Sequence, residues 1–314
     1  MVYIGVKPNV TRLGNWLFQY AAAKTFAKGG EVAFVIKDSA WWPAVEKCRA
    51  AMPDVKIVDR APEGVEVLEG LFQDVKFLDE GIVGKLFPLR NRFAGRIPAG
   101  TVSIHVRRGD YLKIPQNHPF VGENYLRKAV ASFPKETEFL VFSDDISWCR
   151  KFFKGTHFHF SEGRDVIDDL FLMSWCDHHI CSNSTYSWWG AYLGRRGRVI
   201  FPSMWYGMAL RHLDCRGLYF PGVEVIPNHY TVGRWLMAEC LMFKRRIGDV
   251  LRRLGFRKPR HPCESGKERE LPLVDNLRDV EELRRRECFF ARKFSANPGD
   301  LPWIRELVRK VCAK

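Results

Sequence analysis

The sequence lacks any long apolar run, and its first residues lack the features of an export signal. No stretch of its 314 residues stays apolar over the roughly 20 positions that a bilayer-spanning helix needs. The opening "MVYIGVKPNV" has no basic region followed by a cleavable apolar segment. We therefore expect no transmembrane helix and a cytoplasmic location.

The cysteines lack any paired spacing. There are nine, scattered along the chain without a C-x-x-C pair. An odd, scattered set does not suit a disulfide framework, and without paired spacing it does not suit a zinc site. No internal repeat or low-complexity tract is present either. We therefore expect reduced thiols and no structural zinc.

Negative charge is scarce. The chain has 36 Asp and Glu against 50 Lys and Arg, a formal charge of +14. Residues 232–314 alone contain 21 Lys and Arg against 12 Asp and Glu. Such a basic tail attracts nucleic acid, anionic lipid or acidic glycolipids alike. Because no zinc finger or RNA-binding aromatic motif is present, we expect no nucleic-acid partner. A basic polyanion- or membrane-binding protein without catalysis is the alternative from another functional class.

Strand-like and helix-like segments alternate along the first 227 residues. This alternation predicts parallel sheets that are covered by helices on both faces. Strands are predicted in "YIGVKPN", "EVAFVIKD", "TVSIHV", "TEFLVFSDD", "HHICSN" and "RVIFP", the last of which closes the series. Helices are predicted in "TRLGNWLFQYAAAKTFAKGG", "ENYLRKAVASF", "SWCRKFF" and "DVIDDLFLMSWC".

The Gly-, Pro- and Arg-rich segment "LRNRFAGRIPAG" interrupts this alternation near residue 95. We predict an α/β fold with two Rossmann-like domains facing a cleft, residues 1–97 and 98–227. Residues 228–314 are predicted to form a basic helical extension. Its segment "RWLMAECLMFKRRIGDVLRRLGF" has the apolar stripe and basic flanks of an amphipathic helix. The stripe either packs on protein or lies on a membrane surface.

The stretch "SIHVRRGDY" places charge at the end of a buried strand. Apolar residues alternate over 102–106, and Arg107, Arg108, Gly109 and Asp110 follow directly. Ligands of open α/β sheets bind at the carboxyl ends of strands, and guanidinium groups match phosphate oxygens. The pattern therefore indicates an anion site, with a structural Arg108–Asp110 ion pair as the alternative.

Four segments occur together in the order "TRLGNWLFQYAAA", "HVRRGDY", "FSDDISWCRKFF" and "DDLFLMSWCDHHICSNSTYSWWGAYL". This set resembles the bacterial α-1,2-fucosyltransferases of glycosyltransferase family 11, which transfer fucose from GDP-fucose to a galactoside. "LEGLFQDVKFL" is similar to the family's glutamine-containing strand and turn, and "FPSMWY" to its closing Pro and Trp. The resemblance covers about residues 1–225 and does not include the basic tail.

The resemblance implies a GT-B-type enzyme that inverts the anomeric carbon and needs no metal or other cofactor. Arginines and backbone donors can neutralise a diphosphate without a cation. The acidic doublets Asp144–Asp145 and Asp168–Asp169 are the alternative metal ligands. Neither doublet has a His or a third carboxylate at ligand spacing, which disfavours that alternative.

The resemblance also implies roles for the residues around the arginine motif. Arg107 would bridge the diphosphate and stabilise charge on the departing GDP, as catalytic and donor-binding residue. Arg108 would hold its loop through an acidic partner such as Asp145. His105 and Asp169 would read guanine, because a carboxylate accepts two parallel hydrogen bonds from its N1–H and amine. The spacing of related core fucosyltransferases, which have an Asp eight residues before the counterpart of Asp177, selects Asp169 over Asp168. An N-terminal helix cap and dipole partner is the alternative role for both acidic residues.

Two further segments, "RLGNW" and "SNSTYSWW", would bind the donor from opposite sides. The donor-binding residues implied in them are Arg12, Gly14, Asn15, Asn183, Ser184 and Thr185. Trp16 stands where the family usually has Gln, and Arg12 where it usually has Gly. Protein O-fucosyltransferases also carry an Arg at the latter position, which suggests a further phosphate contact. Trp188 and Trp189 are predicted core residues.

The base that deprotonates the acceptor is predicted as Asp110 from its position, with Glu123 and His118 as alternatives. The partners implied are GDP-fucose and a galactose-terminated, lipid-linked glycan in surface polysaccharide synthesis. The C-terminal helix would then lie at the inner face of the membrane. A transferase of the same fold with a different deoxyhexose, linkage or acceptor is the alternative.

Overall fold

The structure is a computed structural model, and it describes residues 1–6, 12–37 and 42–253. The strands of this described part are β1 (Val2–Gly5), β2 (Val32–Val35), β3 (Val55–Val58), β4 (Val67–Glu69), β5 (Val102–Val106), β6 (Phe139–Ser143), β7 (Phe158–Phe160), β8 (His178–Ile180), β9 (Val199–Pro202) and β10 (Val223–Ile226). The α-helices are α1 (Leu13–Phe26), α2 (Trp42–Lys47), α3 (Glu80–Leu86), α4 (Glu123–Ala131), α5 (Ile146–Phe152), α6 (Val166–Met173), α7 (Thr185–Gly194) and α8 (Val232–Arg253).

The first four strands form a parallel sheet in the order β3-β2-β1-β4. β1 lies between β2 and β4, with Tyr3 opposite Ala33 on one side and Val67 on the other. All four residues of β2 are buried, as expected for a central strand covered on both faces. The strand order reverses direction between β1 and β4, which makes this position the switch point of the sheet, where open α/β sheets typically bind ligands at the carboxyl ends of their strands.

The remaining six strands form a second parallel sheet in the order β10-β9-β8-β5-β6-β7. This is the strand order of the Rossmann fold. Its switch point lies between β5 and β8, where Ile104 pairs with Ile180. β5 is buried along its whole length, so Ser103 and His105, which alternate with its apolar residues, are buried as well.

Helix α1, which follows β1 of the first sheet, packs against helix α7, which follows β8 of the second sheet. Phe18 of α1 packs against Trp188 and Trp189 of α7, with ring centroids 4.4 and 5.0 Å apart. All three side chains are buried, so both tryptophans are core residues, as predicted. Their burial holds the start of α1 against the start of α7.

The chain forms two compact units. The sheet unit comprises Met1–Gly109, Phe120–Trp205 and Asp214–Asn228 and contains both sheets. The helix unit comprises Asp110–Pro119, Tyr206–Leu213 and the described residues from His229 onward. Within the helix unit, Arg234 of α8 donates from Nη1 to the Leu112 carbonyl (2.9 Å), and Tyr111 stacks on His118.

The α/β prediction is confirmed, and the predicted strands and helices up to residue 202 occur where the pattern placed them. The prediction that "RVIFP" is the last strand is wrong, because a further strand, β10, follows it and pairs with β9 at the edge of the sheet. The pattern also did not predict β3 and β7, two edge strands of four and three residues. The domain boundaries at 97 and 227 stay predictions.

Several expectations concern the tail and the thiols. The amphipathic helix predicted from residue 234 is present as α8, whereas residues 254–314 lie outside the described part. No described helix is long and apolar enough to cross a membrane. Six cysteines are described, and all six are buried thiols outside any disulfide: Cys48, Cys149, Cys176, Cys181, Cys215 and Cys240.

Candidate functional site

The switch points of the two sheets meet at Asn15. This residue lies in the first turn of α1, the helix that follows β1. Its Oδ1 accepts a hydrogen bond from Nε2 of Gln73 (2.9 Å), which follows β4. The same Oδ1 accepts a second bond from Oγ1 of Thr185 (2.8 Å), the first residue of α7. Three segments that are distant in sequence therefore converge on one amide.

Gly14 allows this close approach. A Cβ on Gly14 would lie 2.5 Å from Oγ1 of Thr185 and 2.7 Å from the backbone N of Tyr186. The Gly14 carbonyl also accepts a buried hydrogen bond from Nε1 of Trp189 (2.9 Å). The glycine thus lets the first turns of α1 and α7 touch. Because the N-terminus of a helix carries unpaired N–H groups and partial positive charge, two such ends together favour an anion.

His105 lies at the switch point of the six-stranded sheet. Its Nδ1 is 2.7 Å from Oγ of Ser182, which follows β8, and its ring centroid is 5.3 Å from that of Tyr186. Burial, assisted by the nearby Arg107, lowers the pKa of His105 to about 3. The ring is therefore neutral at pH 7 and has one N–H donor and one acceptor nitrogen. A direct role for His105 in reading guanine stays a prediction.

The two arginines after β5 occupy different environments. Nη1 of Arg107 lies 3.0 Å from Oδ2 of Asp144, and the side chain is 23% exposed. Nε of Arg108 donates to Oδ2 of Asp145 (2.9 Å), and its guanidinium lies 4.0 Å from the ring of Trp148. This hydrogen bond lowers the pKa of Asp145. The predicted Arg108–Asp145 contact is confirmed, and Arg108 therefore holds its loop in place.

The acidic residues of α6 divide into three roles. Asp165 is the N-cap, and its Oδ1 accepts from the backbone N of Ile167 (2.8 Å). The alternative that Asp168 and Asp169 form the cap is therefore wrong, although both lie in the first turn near the helix dipole. Asp168 forms an ion pair with Arg92.

Asp169 points to a different neighbour. Its Oδ1 accepts from Oγ of Ser161 (2.5 Å), and burial raises the pKa of its carboxyl. A desolvated carboxylate gains from a ligand that donates hydrogen bonds to it. Asp169 therefore fits the predicted guanine contact better than Asp168, whose charge Arg92 already balances. The assignment stays a prediction.

The loop between β8 and α7 supplies further polar groups. Asn183 is buried, and its Nδ2 donates to the carbonyl of Trp205 (2.9 Å). Ser184 is the N-cap of α7, and its Oγ accepts from the backbone N of Tyr186 (3.3 Å). Arg12 is the N-cap residue of α1 and is exposed. Ser184 and Arg12 thus lie at the two helix starts that Gly14 brings together.

The three candidates for the base lie in different surroundings. Asp110 and His118 belong to the helix unit, where the Asp110 carbonyl accepts from the backbone N of Lys113 (2.9 Å). Glu123 begins α4 in the sheet unit, is exposed, and lies 3.6 Å from Arg127. The choice among them stays a prediction.

The sequence did not reveal three residues of the site: Gln73, Ser161 and Ser182. Gln73 and Ser182 lie in the segments "LEGLFQDVKFL" and "SNSTYSWW", but neither residue was given a role, and Ser161 lies in no recognised motif. In the described ranges, no group of three or more His, Cys, Asp or Glu side chains is placed to hold a metal ion. Asp144, Asp145 and Asp168 are each paired with an arginine instead.

Known proteins match the central part of the chain. Residues 69–208 match the family model described as glycosyl transferase family 11. O-antigen biosynthesis glycosyltransferase WbnK of Escherichia coli is 38% identical over 120 residues, which are 34% of this chain and 40% of that protein. Alpha-1,2-colitosyltransferase of Escherichia coli is 38% identical over 122 residues, 34% of this chain and 41% of that protein.

A vertebrate enzyme matches to a similar degree. Galactoside alpha-(1,2)-fucosyltransferase 1 of Leontopithecus chrysomelas is 37% identical over 116 residues, 33% of this chain and 32% of that protein. The chain therefore spans less than half the length of each of these three relatives. No solved structure gives a significant match. These matches confirm the resemblance to the α-1,2-fucosyltransferases, which is carried by residues 69–208.

Proposed function

We propose that the protein is an inverting glycosyltransferase that moves fucose from GDP-fucose to the 2-hydroxyl of a terminal galactoside. The galactose O2 bonds to the anomeric carbon while the bond from that carbon to the diphosphate breaks. The electron pair leaves with GDP, and the hydroxyl proton passes to a base. The protein must therefore stabilise charge on the diphosphate and receive one proton.

The convergence of two helix starts at Asn15 is the observation that carries this proposal. Gly14 and Thr185 bring the first turns of α1 and α7 together at the switch points of two parallel sheets. Switch points are where open α/β sheets bind ligands, and paired helix starts suit a diphosphate. We therefore propose a GT-B arrangement in which residues 1–97 and 98–227 are the two halves and the donor lies between them.

Arg107 supplies the formal charge in this proposal. It follows β5 and is partly exposed, so its guanidinium can turn from Asp144 to a diphosphate. A bidentate contact would become stronger as charge develops on the leaving GDP. Arg108 is held between Asp145 and Trp148 and is a supporting residue.

The base of the nucleotide would be selected at the β7 edge of the six-stranded sheet. Asp169 and its neighbour Ser161 lie at the start of α6 and the end of β7. Guanine offers two parallel donors to a carboxylate, which adenine and uracil do not. Occupation by guanine would favour the charged form of Asp169, whose pKa burial raises in the free protein.

We propose that transfer needs no metal ion. The carboxylates of Asp145 and Asp168 are paired with Arg108 and Arg92, so they are poor ligands for a further cation. When Arg107 turns to the diphosphate, Asp144 still accepts a hydrogen bond from the backbone N of Arg108 (2.8 Å). Asp110 is the proposed base. Activity measured with an excess of EDTA and with added magnesium should agree. A strict requirement for a divalent ion would overturn this part of the proposal.

A second donor has a specific observation in its favour. The relative named alpha-1,2-colitosyltransferase is as similar to this chain as the other Escherichia coli relative, at 38% identity. Colitose is fucose without its 3-hydroxyl, so a single hydrogen bond could distinguish the two donors. GDP-colitose is therefore the alternative donor for the same reaction.

The test is a transfer assay with the full chain. GDP-fucose, GDP-colitose and UDP-galactose are each offered with a panel of galactosides, and the linkage of any product is determined by NMR. We expect an α-1,2 product from GDP-fucose and none from the uridine donor. Product from GDP-colitose alone would replace the donor, and a different linkage would overturn the acceptor assignment.

Calorimetry with GDP, ADP and UDP separates an enzyme from a general polyanion binder. A stoichiometric site that prefers GDP at physiological salt supports the enzyme. Binding of all three nucleotides that disappears at about 0.5 M salt, where the Debye length falls to about 4 Å, supports a basic surface without catalysis.

We further propose a cytoplasmic protein that meets a lipid-linked glycan at the inner face of a membrane through α8. Phe243 and Ile247 are 51% and 44% exposed, and Lys244, Arg245 and Arg246 lie between them in sequence. Apolar side chains flanked by basic ones suit the surface of an anionic bilayer, where each basic residue contributes about 1 kcal/mol.

Co-sedimentation with vesicles tests this contact. The full chain should pellet with vesicles that contain phosphatidylglycerol and remain in solution with pure phosphatidylcholine. A variant carrying both Phe243→Ser and Ile247→Ser should lose most of this binding. Val65→Ser, which changes a residue that is 41% exposed in the sheet unit, is the matched control. Unchanged binding of the double variant would exclude α8 as the contact.

A further inference from the structure

Asn15 is held by two hydrogen bonds to the same atom. Gln73 donates from Nε2 (2.9 Å) and Thr185 from Oγ1 (2.8 Å), and both reach Oδ1 of Asn15. An amide oxygen has two lone pairs, so these bonds use its full capacity as an acceptor. The amide group is thereby fixed in one of its two flipped orientations.

The consequence concerns the other end of the amide. In the described part of the chain, Nδ2 of Asn15 forms no hydrogen bond, and the side chain is only half-buried. Its two N–H donors lie at the meeting point of the first turns of α1 and α7. A donor pair without a protein partner, next to two helix starts, suits an anionic oxygen.

Thr185, unlike Asn15, has no side-chain donor left for a ligand. Its hydroxyl has one proton, and that proton is donated to Asn15. The hydroxyl can therefore accept but not donate a further hydrogen bond while this contact exists. A phosphate oxygen needs donors, so Thr185 acts through Asn15 and through the backbone of α7.

The turn that presents Gln73 is built to hold it. Phe72 has φ +52°, a left-handed conformation that is unfavourable for a bulky residue, and its ring packs on Phe77 at 5.4 Å. The Gly70 carbonyl accepts from Nε2 of Gln19 (2.9 Å), which ties the turn to α1. A strained turn that is anchored on both sides positions its next residue closely.

We propose that Gln73 is a positioning residue that aims the amide nitrogen of Asn15 at the diphosphate of the donor. The inference rests on the proposed function, because it names the contact through which the diphosphate is held. Charge on the diphosphate increases as the bond to the sugar breaks. A fixed donor therefore contributes more to the transition state than to the bound substrate, and its loss lowers kcat more than it raises KM.

Three variants test this assignment. Gln73→Leu removes the amide donor to Asn15 at similar side-chain volume. Thr185→Val removes the hydroxyl donor to Asn15, and Thr185→Ser keeps it. We expect kcat to fall about 10- to 100-fold in Gln73→Leu and Thr185→Val, with less than about a threefold change in KM for the donor. Thr185→Ser should retain most of the activity. Circular dichroism and thermal unfolding of each variant check that the fold is intact.

A double-mutant cycle separates positioning from a structural role. In an Asn15→Ala background the amide is gone, so Gln73→Leu should change kcat by less than about twofold there. A variant that acts by disturbing the fold would lower kcat in both backgrounds. An equal loss in both backgrounds, or unchanged kcat in Gln73→Leu alone, would overturn the proposal.

The wild-type chain supplies the reference for the underlying function. If it binds GDP and transfers sugar, the cycle decides the role of Gln73 alone. If it neither binds GDP nor transfers any sugar from the donor panel, the proposed function fails and this inference fails with it.

Discussion

Replacing Gly14 by Ala should destabilise the protein, although the same change elsewhere in a helix stabilises it. The new Cβ would lie 2.5 Å from Oγ1 of Thr185 and 2.7 Å from two backbone atoms of α7. Two of these three atoms belong to backbone, so side-chain rotation cannot relieve the overlap. The starts of α1 and α7 must therefore move apart.

The magnitude follows from what that movement disturbs. Overpacking a tight core contact costs about 1–3 kcal/mol, and stretching the bond from Trp189 to the Gly14 carbonyl costs about 1 kcal/mol more. The higher helix propensity of Ala offsets up to about 1 kcal/mol. The net loss is about 1–3 kcal/mol, and for a chain of this length Tm should fall by about 2–5 °C.

Gly84→Ala is the matched control. Gly84 lies inside α3, and its added Cβ would meet no atom within 4 Å. This variant should gain about 0.5–1 kcal/mol from helix propensity alone. Thermal unfolding of both variants gives the comparison. If Gly14→Ala melts at or above the wild-type temperature, α1 and α7 do not touch as described. Recovery of its stability by adding Thr185→Ala would also contradict the argument, because the backbone overlaps would remain.

Three further variants address the charged and titratable groups. Arg107→Lys should lose about 2–4 kcal/mol of transition-state stabilisation in kcat/KM, because a point charge cannot replace a bidentate contact, whereas Arg108→Lys should chiefly lower Tm; similar activity losses in both would contradict the division of roles. Asp169→Asn should weaken GDP binding by about 1–3 kcal/mol in calorimetry and Asp168→Asn should not; the reverse result would assign the nucleotide contact to Asp168. The pKa of His105 is lowered to about 3 in the folded chain, so the unfolded chain binds more protons below its own pKa of about 6.5, and stability should fall as the pH decreases through that window. Urea unfolding at pH 7 and pH 5 should show a smaller pH effect in His105→Asn, and an equal effect would mean that His105 titrates normally.

The sequence predicted the central elements and missed those that depend on distant partners. β5 and β6 are strands of five residues whose apolar side chains, alternating in β5 and consecutive in β6, can be recognised locally. β7 and β10 are short and lie at the two edges of their sheet, where a single neighbour sets their pairing. Propensity over three or four residues is too weak to reveal such strands.

The site follows the same rule. The resemblance singled out Arg107 and Asn15, because each lies in a segment with several recognisable residues. Gln73 lies 58 positions from Asn15, and their contact exists only because β4 pairs with β1. The contact between Thr185 and Asn15 spans 170 positions and two sheets. Sheet order, which is a property of the whole fold, decides which polar groups meet.

The contact between α1 and α7 also has a consequence for synthesis. α1 is complete at Phe26, but the tryptophans that cover its apolar side chains, Trp188 and Trp189, are added more than 150 residues later. At about 5–20 residues per second, α1 waits roughly 10–30 s on the ribosome before its partner is made. During that interval Leu17 and Phe18, fully buried in the finished fold, have no α7 to pack against. The nascent chain is therefore expected to need a chaperone in this window, and heterologous expression should improve when translation after residue 26 is fast.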